Sequence, residues 1–120
     1  MIEPAIALVE TNSVAAGILA GDAMVKKAAV QILEARSICP GKYMVLICGE
    51  VGPVQEAFDV GIATAADTLV DQLLLPNVHP SVFPALMSAT PPREDEALGI
   101  VETVTAAICI VAADAAVEAS

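Results

Sequence analysis

Aromatic residues and positive charge are both scarce in this sequence. Phe, Tyr and Trp make up 2% of the 120 residues, and Trp is absent. A pocket lined by aromatic side chains therefore has little to draw on. Lys and Arg number 5 against 15 Asp and Glu, a formal net charge of -10. Phosphate backbones are bound by clustered Lys and Arg, so the deficit argues against a nucleic-acid partner. It argues equally against docking on an anionic membrane surface. Long apolar runs are missing too, although the mean hydropathy is +0.74. The longest uncharged stretch, Gln72–Pro92, is broken by Pro76, Pro80, Pro84, Pro91 and Pro92 and cannot form a spanning helix. No basic segment precedes an apolar one, so no signal peptide is expected. The expectation is a soluble, cytoplasmic protein.

Cysteine is limited to Cys39, Cys48 and Cys109, with no CxxC. An odd, sparse set does not make a disulfide framework. One chain alone cannot supply a four-thiolate metal site. Catalytic signatures are also lacking: there is no P-loop, GxGxxG, HExxH or Ser-His-Asp set, and His79 is the only histidine. An enzyme is disfavoured on these grounds.

What is abundant is small aliphatic residues, which bring the hydrophobic share to 57%. Buried assembly interfaces explain such a composition better than one large core. A repeat is also present. Residues Ala5–Ala28 (AIALVETNSVAAGILAGDAMVKKA) align without gaps on Ala97–Ser120 (ALGIVETVTAAICIVAADAAVEAS), with ten of 24 positions identical at an offset of 92. Shared Val-Glu-Thr followed by Asp22 and Asp114 at one fixed offset points to a duplication. The expected organisation is a complete unit over 1–88, a Pro- and charge-rich linker over 89–96, and the opening strand and helix of a second unit over 97–120.

Within the first unit, Ile6–Glu10 reads as a strand. Thr11, Asn12 and Ser13 offer caps for a helix over Val14–Ala28 that ends in Lys26-Lys27. Val30–Ile38 and Tyr43–Cys48 read as a hairpin around Cys39-Pro-Gly-Lys42, where Pro presets φ and Gly permits a positive φ. A helix over about 54–67 follows Pro53. Leu69–Leu75 is a last strand, and Asn77–Met87 a short helix. The order β-α-β-β-α-β-α predicts an α+β fold, an antiparallel-rich sheet covered by helices.

These words, in this order, resemble the bacterial microcompartment (BMC) shell domain. AIALVET, GDAMVKKA, GKYMVLICGEVGPVQEAFDVG and LLLPNVHPSV carry the resemblance over residues 4–88, and the second copy begins to repeat it. Within the family, ICPGK resembles the hairpin turn of the tandem-domain branch found in propanediol-utilisation compartments.

The resemblance implies that the chain is a structural shell component assembling with itself as a homotrimer, a pseudohexameric tile, alongside other shell proteins. It implies that Cys39, Pro40, Gly41 and Lys42 line a central pore. It also implies that three copies of Cys39 hold a 4Fe–4S cluster on the axis, passing electrons across the shell. A lumenal redox enzyme, such as a flavin or cobalamin reductase, would be the electron partner. Iron–sulfur clusters use thiolate ligands, which a threefold axis can make converge. The alternative is a tile without redox function, whose pore passes small metabolites past a free Cys39.

The family's edge lysine corresponds to Lys26, replaced in the second copy by Glu118, and tile-edge packing extends to Asn77 and His79. Plainer readings stand beside these. Cys39 is then a turn cysteine and Lys26 a helix-end solvating group. Lys42 either favours the Cys39 thiolate or faces solvent. His79 is a cap or interface residue. Cys48 and Cys109 read as buried small hydrophobes. The recurring pairs Glu10/Glu102 and Asp22/Asp114 read as fold-maintaining residues.

Overall fold

The computed structural model describes residues 5–87, 97 and 99–120. The expected linker at 89–96 lies outside the described residues. Four antiparallel strands form one sheet in the order β2-β3-β1-β4. They are β1 (Ala5–Thr11), β2 (Gln31–Ile38), β3 (Lys42–Gly49) and β4 (Leu69–Leu75). β1 lies inside the sheet and is buried along its whole length, as its nearly unbroken apolar run requires. Leu8 pairs with Leu46 on one side and Leu73 on the other.

Alternation along the strands sends side chains to two separate cores. Ala5, Ala7, Val9, Val45 and Ile47 meet Met24, Val54, Ala57 and Phe58. These last four belong to α1 (Val14–Lys27) and α2 (Val51–Ala65). Ile6, Leu8, Met44, Leu46 and Leu73 form the opposite face. That face is covered by Val78, by Val82 of α3 (Val82–Leu86), and by Ala107 and Ile110 of α4 (Ala106–Ala119). Each fully buried Leu or Ile contributes about 1.5–3 kcal/mol.

α1 begins where Ser13, in extended conformation, accepts the Ala16 N–H at 3.1 Å. It can sit close to the sheet because Gly17 has no side chain. A Cβ there would lie 2.5 Å from Tyr43 Cδ2 and 2.8 Å from Thr11 Oγ1. α1 and α2 approach each other in the same way. Met24 fills a notch at Gly61, where a Cβ would stand 2.6 Å from its sulfur.

α2 starts three residues before the expected Val54, since Pro53 fits anywhere in a first turn, where its missing N–H costs nothing. The helix expected over Asn77–Met87 is shorter. Residues up to Ser81 form turns, and only Val82–Leu86 is helical. Between α2 and β4 a 3₁₀ turn occupies Ala66–Thr68.

The repeat is visible in local structure. α4 spans the residues of α1 displaced by 92. Thr105 caps it by accepting the Ile108 N–H, as Ser13 accepts that of Ala16. Thr103 Oγ1 donates to Thr105 O at 2.8 Å, as Thr11 Oγ1 donates to Ser13 O at 2.7 Å. Residues 99–105 carry no strand. β1, by contrast, is held in the sheet by β3 and β4.

Candidate functional site

The β2–β3 hairpin closes on the pair Ile38 and Lys42, with Cys39, Pro40 and Gly41 between them. Gly41 takes φ +66, the left-handed conformation that a three-residue hairpin loop needs. The Cys39–Pro40 peptide is cis. Cys39, Pro40 and Gly41 are all exposed, and a Cβ on Gly41 would touch nothing within 4 Å. The hairpin thus presents one thiol at a bare tip.

Lys42 anchors this tip to the sheet. Its Nζ lies 3.8 Å from Glu10 Oε2. Glu10 is completely buried, and its Oε1 accepts the backbone N–H of Ala107 at 2.8 Å. Oε2 has no hydrogen-bond partner among the described residues. A buried carboxylate needs compensation, and the Lys42 ammonium and the N-terminus of α4 provide it. Sequence reasoning missed this Lys42–Glu10 pairing. The recurrence of Glu at 10 and 102 marked Glu10 as a fold-maintaining residue but did not reveal its partner.

The remaining predicted residues lie elsewhere. Lys26 is exposed and pairs with Asp22 on its own helix at 2.8 Å. Such pairs contribute about 0.3–0.5 kcal/mol. Asn77 is exposed in the connection after β4. His79 caps the turn into α3, its Nδ1 accepting the Ser81 N–H at 3.1 Å. Its own N–H donates to Asp114 Oδ1 at 2.8 Å, which ties that turn to α4. A third tie joins the Thr105 hydroxyl to Asp71 of β4.

Cys48 is buried in β3, as expected. Cys109 is not: it is exposed on α4. It corresponds to Gly17, which faces its own unit's sheet, whereas α4 packs by another face and leaves Cys109 outside.

Among the described residues, no group of three or more His, Cys, Asp or Glu within the chain could hold a metal ion. Cys39 is a single donor, so further thiolates would have to come from other copies. Among the described residues, no helix is long and apolar enough to cross a membrane. A surface hollow lined by Gln31, Cys48, Gly49, Glu50 and Pro53 lies at the other end of β3 from the turn.

Comparison with known proteins agrees with this architecture. The sequence pattern of the BMC domain matches residues 5–78. The chain is 49% identical over 116 residues to the bacterial microcompartment shell protein PduT of Citrobacter freundii. That match covers 97% of this chain and 63% of the relative. The shell protein PduA of the same organism is 42% identical over 65 residues, 54% of this chain and 70% of PduA. The crystal structure of a microcompartments protein from Desulfitobacterium hafniense DCB superposes with a TM-score of 0.81 and 45% identity. It covers 99% of this chain and 66% of that one. The chain therefore spans just under two thirds of the length of the PduT relative and of this solved structure. The resemblance read from its strands and turns holds: the chain belongs to the BMC domain family of microcompartment shell proteins.

Proposed function

We propose that the chain is part of a structural tile of a bacterial microcompartment shell in the cytoplasm, not an enzyme. Three copies form a pseudohexameric ring whose central pore is lined by Cys39, Pro40, Gly41 and Lys42. In this reading residues 1–88 are the first BMC unit, 89–96 the linker and 97–120 the opening of the second. The matching caps and lengths of α1 and α4 support that division. Lys26, Asn77 and His79 serve the contacts between tiles.

The observation that carries the pore reading further is the exposed Cys39 thiol at the tip of an anchored hairpin. Three such tips around an axis offer three thiolates, the donor type that iron–sulfur clusters require. The donor chemistry therefore fits a 4Fe–4S cluster held by Cys39 of three chains, with a fourth ligand from outside the ring. When bound, the cluster would supply one-electron transfer across the shell to a lumenal redox enzyme. This chain's part is to hold Cys39 still: Lys42 and Glu10 fix the hairpin base, and Gly41 keeps the tip clear.

Iron content and visible absorption of anaerobically purified protein test the reading. Cys39→Ser should lose the iron while the oligomer stays intact, because the turn is not a core position. A parent ring that never binds iron on reconstitution would leave a tile whose pore passes small metabolites. A Cys39→Ser ring that keeps its iron would remove Cys39 from the ligand set.

A further inference from the structure

Two cations flank the Cys39 turn, Arg36 on β2 and Lys42 on β3, each three residues from the thiol. Each is matched by an acid, in different surroundings. Arg36 Nε lies 3.7 Å from Glu34 Oε2, and their side chains are 64% and 34% exposed. Water and salt screen such a pair. Lys42 Nζ lies 3.8 Å from Glu10 Oε2, and their side chains are 18% and 0% exposed. The charges of this second pair act on the turn with far less screening.

The strand register explains why Glu10 meets Lys42. Glu10 of β1 stands opposite Met44 of β3. Lys42 lies two residues before Met44, so it shares that face of the sheet and is the diagonal neighbour of Glu10. On its other side Glu10 stands opposite Asp71 of β4. Like charges placed opposite one another repel, and Asp71 already accepts from the Thr105 hydroxyl and the Gln72 N–H. The Ala107 N–H of α4 holds Glu10 Oε1 at 2.8 Å, which leaves Oε2 as the oxygen beside Lys42. At 3.8 Å that contact is longer than a hydrogen bond, so it works through charge.

We infer that Glu10 sets the electrostatic potential at the Cys39 thiol. By compensating Lys42 it keeps the turn from presenting net positive charge, and the α4 amide fixes the carboxylate where it does so. Glu10 is a positioning residue that acts through Lys42. The inference deepens the pore reading and gives Glu10 a role beyond holding the hairpin base. An anionic solute gains no attraction from a turn compensated in this way. Net charge near the sulfurs is also one lever on the potential of an iron–sulfur cluster. In an iron-loaded ring, Glu10→Gln should therefore shift the midpoint potential upward.

Alkylation of Cys39 in reduced, iron-free protein tests the inference, with anionic iodoacetate and neutral iodoacetamide followed in parallel by peptide mass spectrometry. Both reagents attack the same thiolate, so its ionised fraction cancels from the ratio of the two rates. Only the potential met by the anionic reagent remains, which a purely structural role would not move. Glu10→Gln, which keeps an acceptor for Ala107, should raise the ratio of iodoacetate to iodoacetamide rates roughly three- to fivefold. That is the effect of one charge about 10 Å away at an effective dielectric constant of about 40. Lys42→Met should lower the ratio by a similar factor, and the double variant should return near the parent. Glu34→Gln, the same change of charge in the screened pair, should leave the ratio near the parent. If far-UV circular dichroism shows that Glu10→Gln does not fold, Lys42→Met decides the case. Parent-like ratios in Glu10→Gln and Lys42→Met would overturn the inference, as would an equal shift from Glu34→Gln. A parent that never takes up iron removes the cluster but leaves this inference standing on the alkylation ratio.

Discussion

Glu10 accepts a hydrogen bond from the Ala107 backbone N–H at 2.8 Å, across 97 positions of sequence. The carboxylate is wholly buried, and the Lys42 Nζ lies 3.8 Å from its Oε2. Glu10→Ala removes the acceptor and leaves a buried helix amide unsatisfied, at a cost of about 1–3 kcal/mol. Glu10→Gln keeps an acceptor for Ala107 but gives up the attraction to Lys42, so its loss should be smaller. Urea denaturation of the three proteins checks the order. Glu10→Ala within about 0.5 kcal/mol of the parent, the range of an ordinary surface change, would contradict it.

The two close-contact glycines should respond differently to alanine. At Gly17 the new methyl would meet Tyr43 Cβ at 2.7 Å, an atom fixed to the backbone of β3. Alanine gains about 1 kcal/mol of helix propensity, but overpacking costs about 1–3 kcal/mol, so Gly17→Ala should destabilise. At Gly61 the methyl meets the flexible end of Met24, which can turn aside. Gly61→Ala should therefore lie closer to the parent in thermal or chemical unfolding. The reverse ranking would mean that α1 rests less tightly on β3 than its glycine implies.

The paired caps offer another comparison. Ser13→Ala should cost about 1 kcal/mol, the usual value for a lost N-cap. Thr105→Ala should cost more, since its hydroxyl both caps α4 and donates to Asp71 of β4. Equal losses in denaturant titrations would show that the Asp71 contact contributes nothing.

The element order was legible because each segment declares its period or its punctuation. AIALVET has no polar break before Glu10, Pro40-Gly41 marks the hairpin tip, and Ser13 stands where the helix begins. The order of strands within the sheet was not legible, since apolar strands pair equally well with several partners. The site was legible in part. Cys39 was visible as a turn cysteine because Pro40 and Gly41 follow it. The anchoring of Lys42 by Glu10 was hidden, because a charged residue in a strand does not reveal which face it takes. Cys109 was misread as buried: in the Ala-rich stretch 106–119 almost any face can be apolar, so sequence alone does not choose the buried one.

The notch at Gly61 has a chemical consequence for Met24. Its sulfur lies against Gly61 between two helices, and the residue is fully buried. Peroxide can convert the thioether to the sulfoxide only when α1 and α2 part. Exposed Met87 carries no such restraint. The lag of Met24 behind Met87, followed by peptide mass spectrometry, would therefore act as a clock for the opening of the helical layer. Any change that loosens the layer would run that clock faster before it lowered the melting temperature.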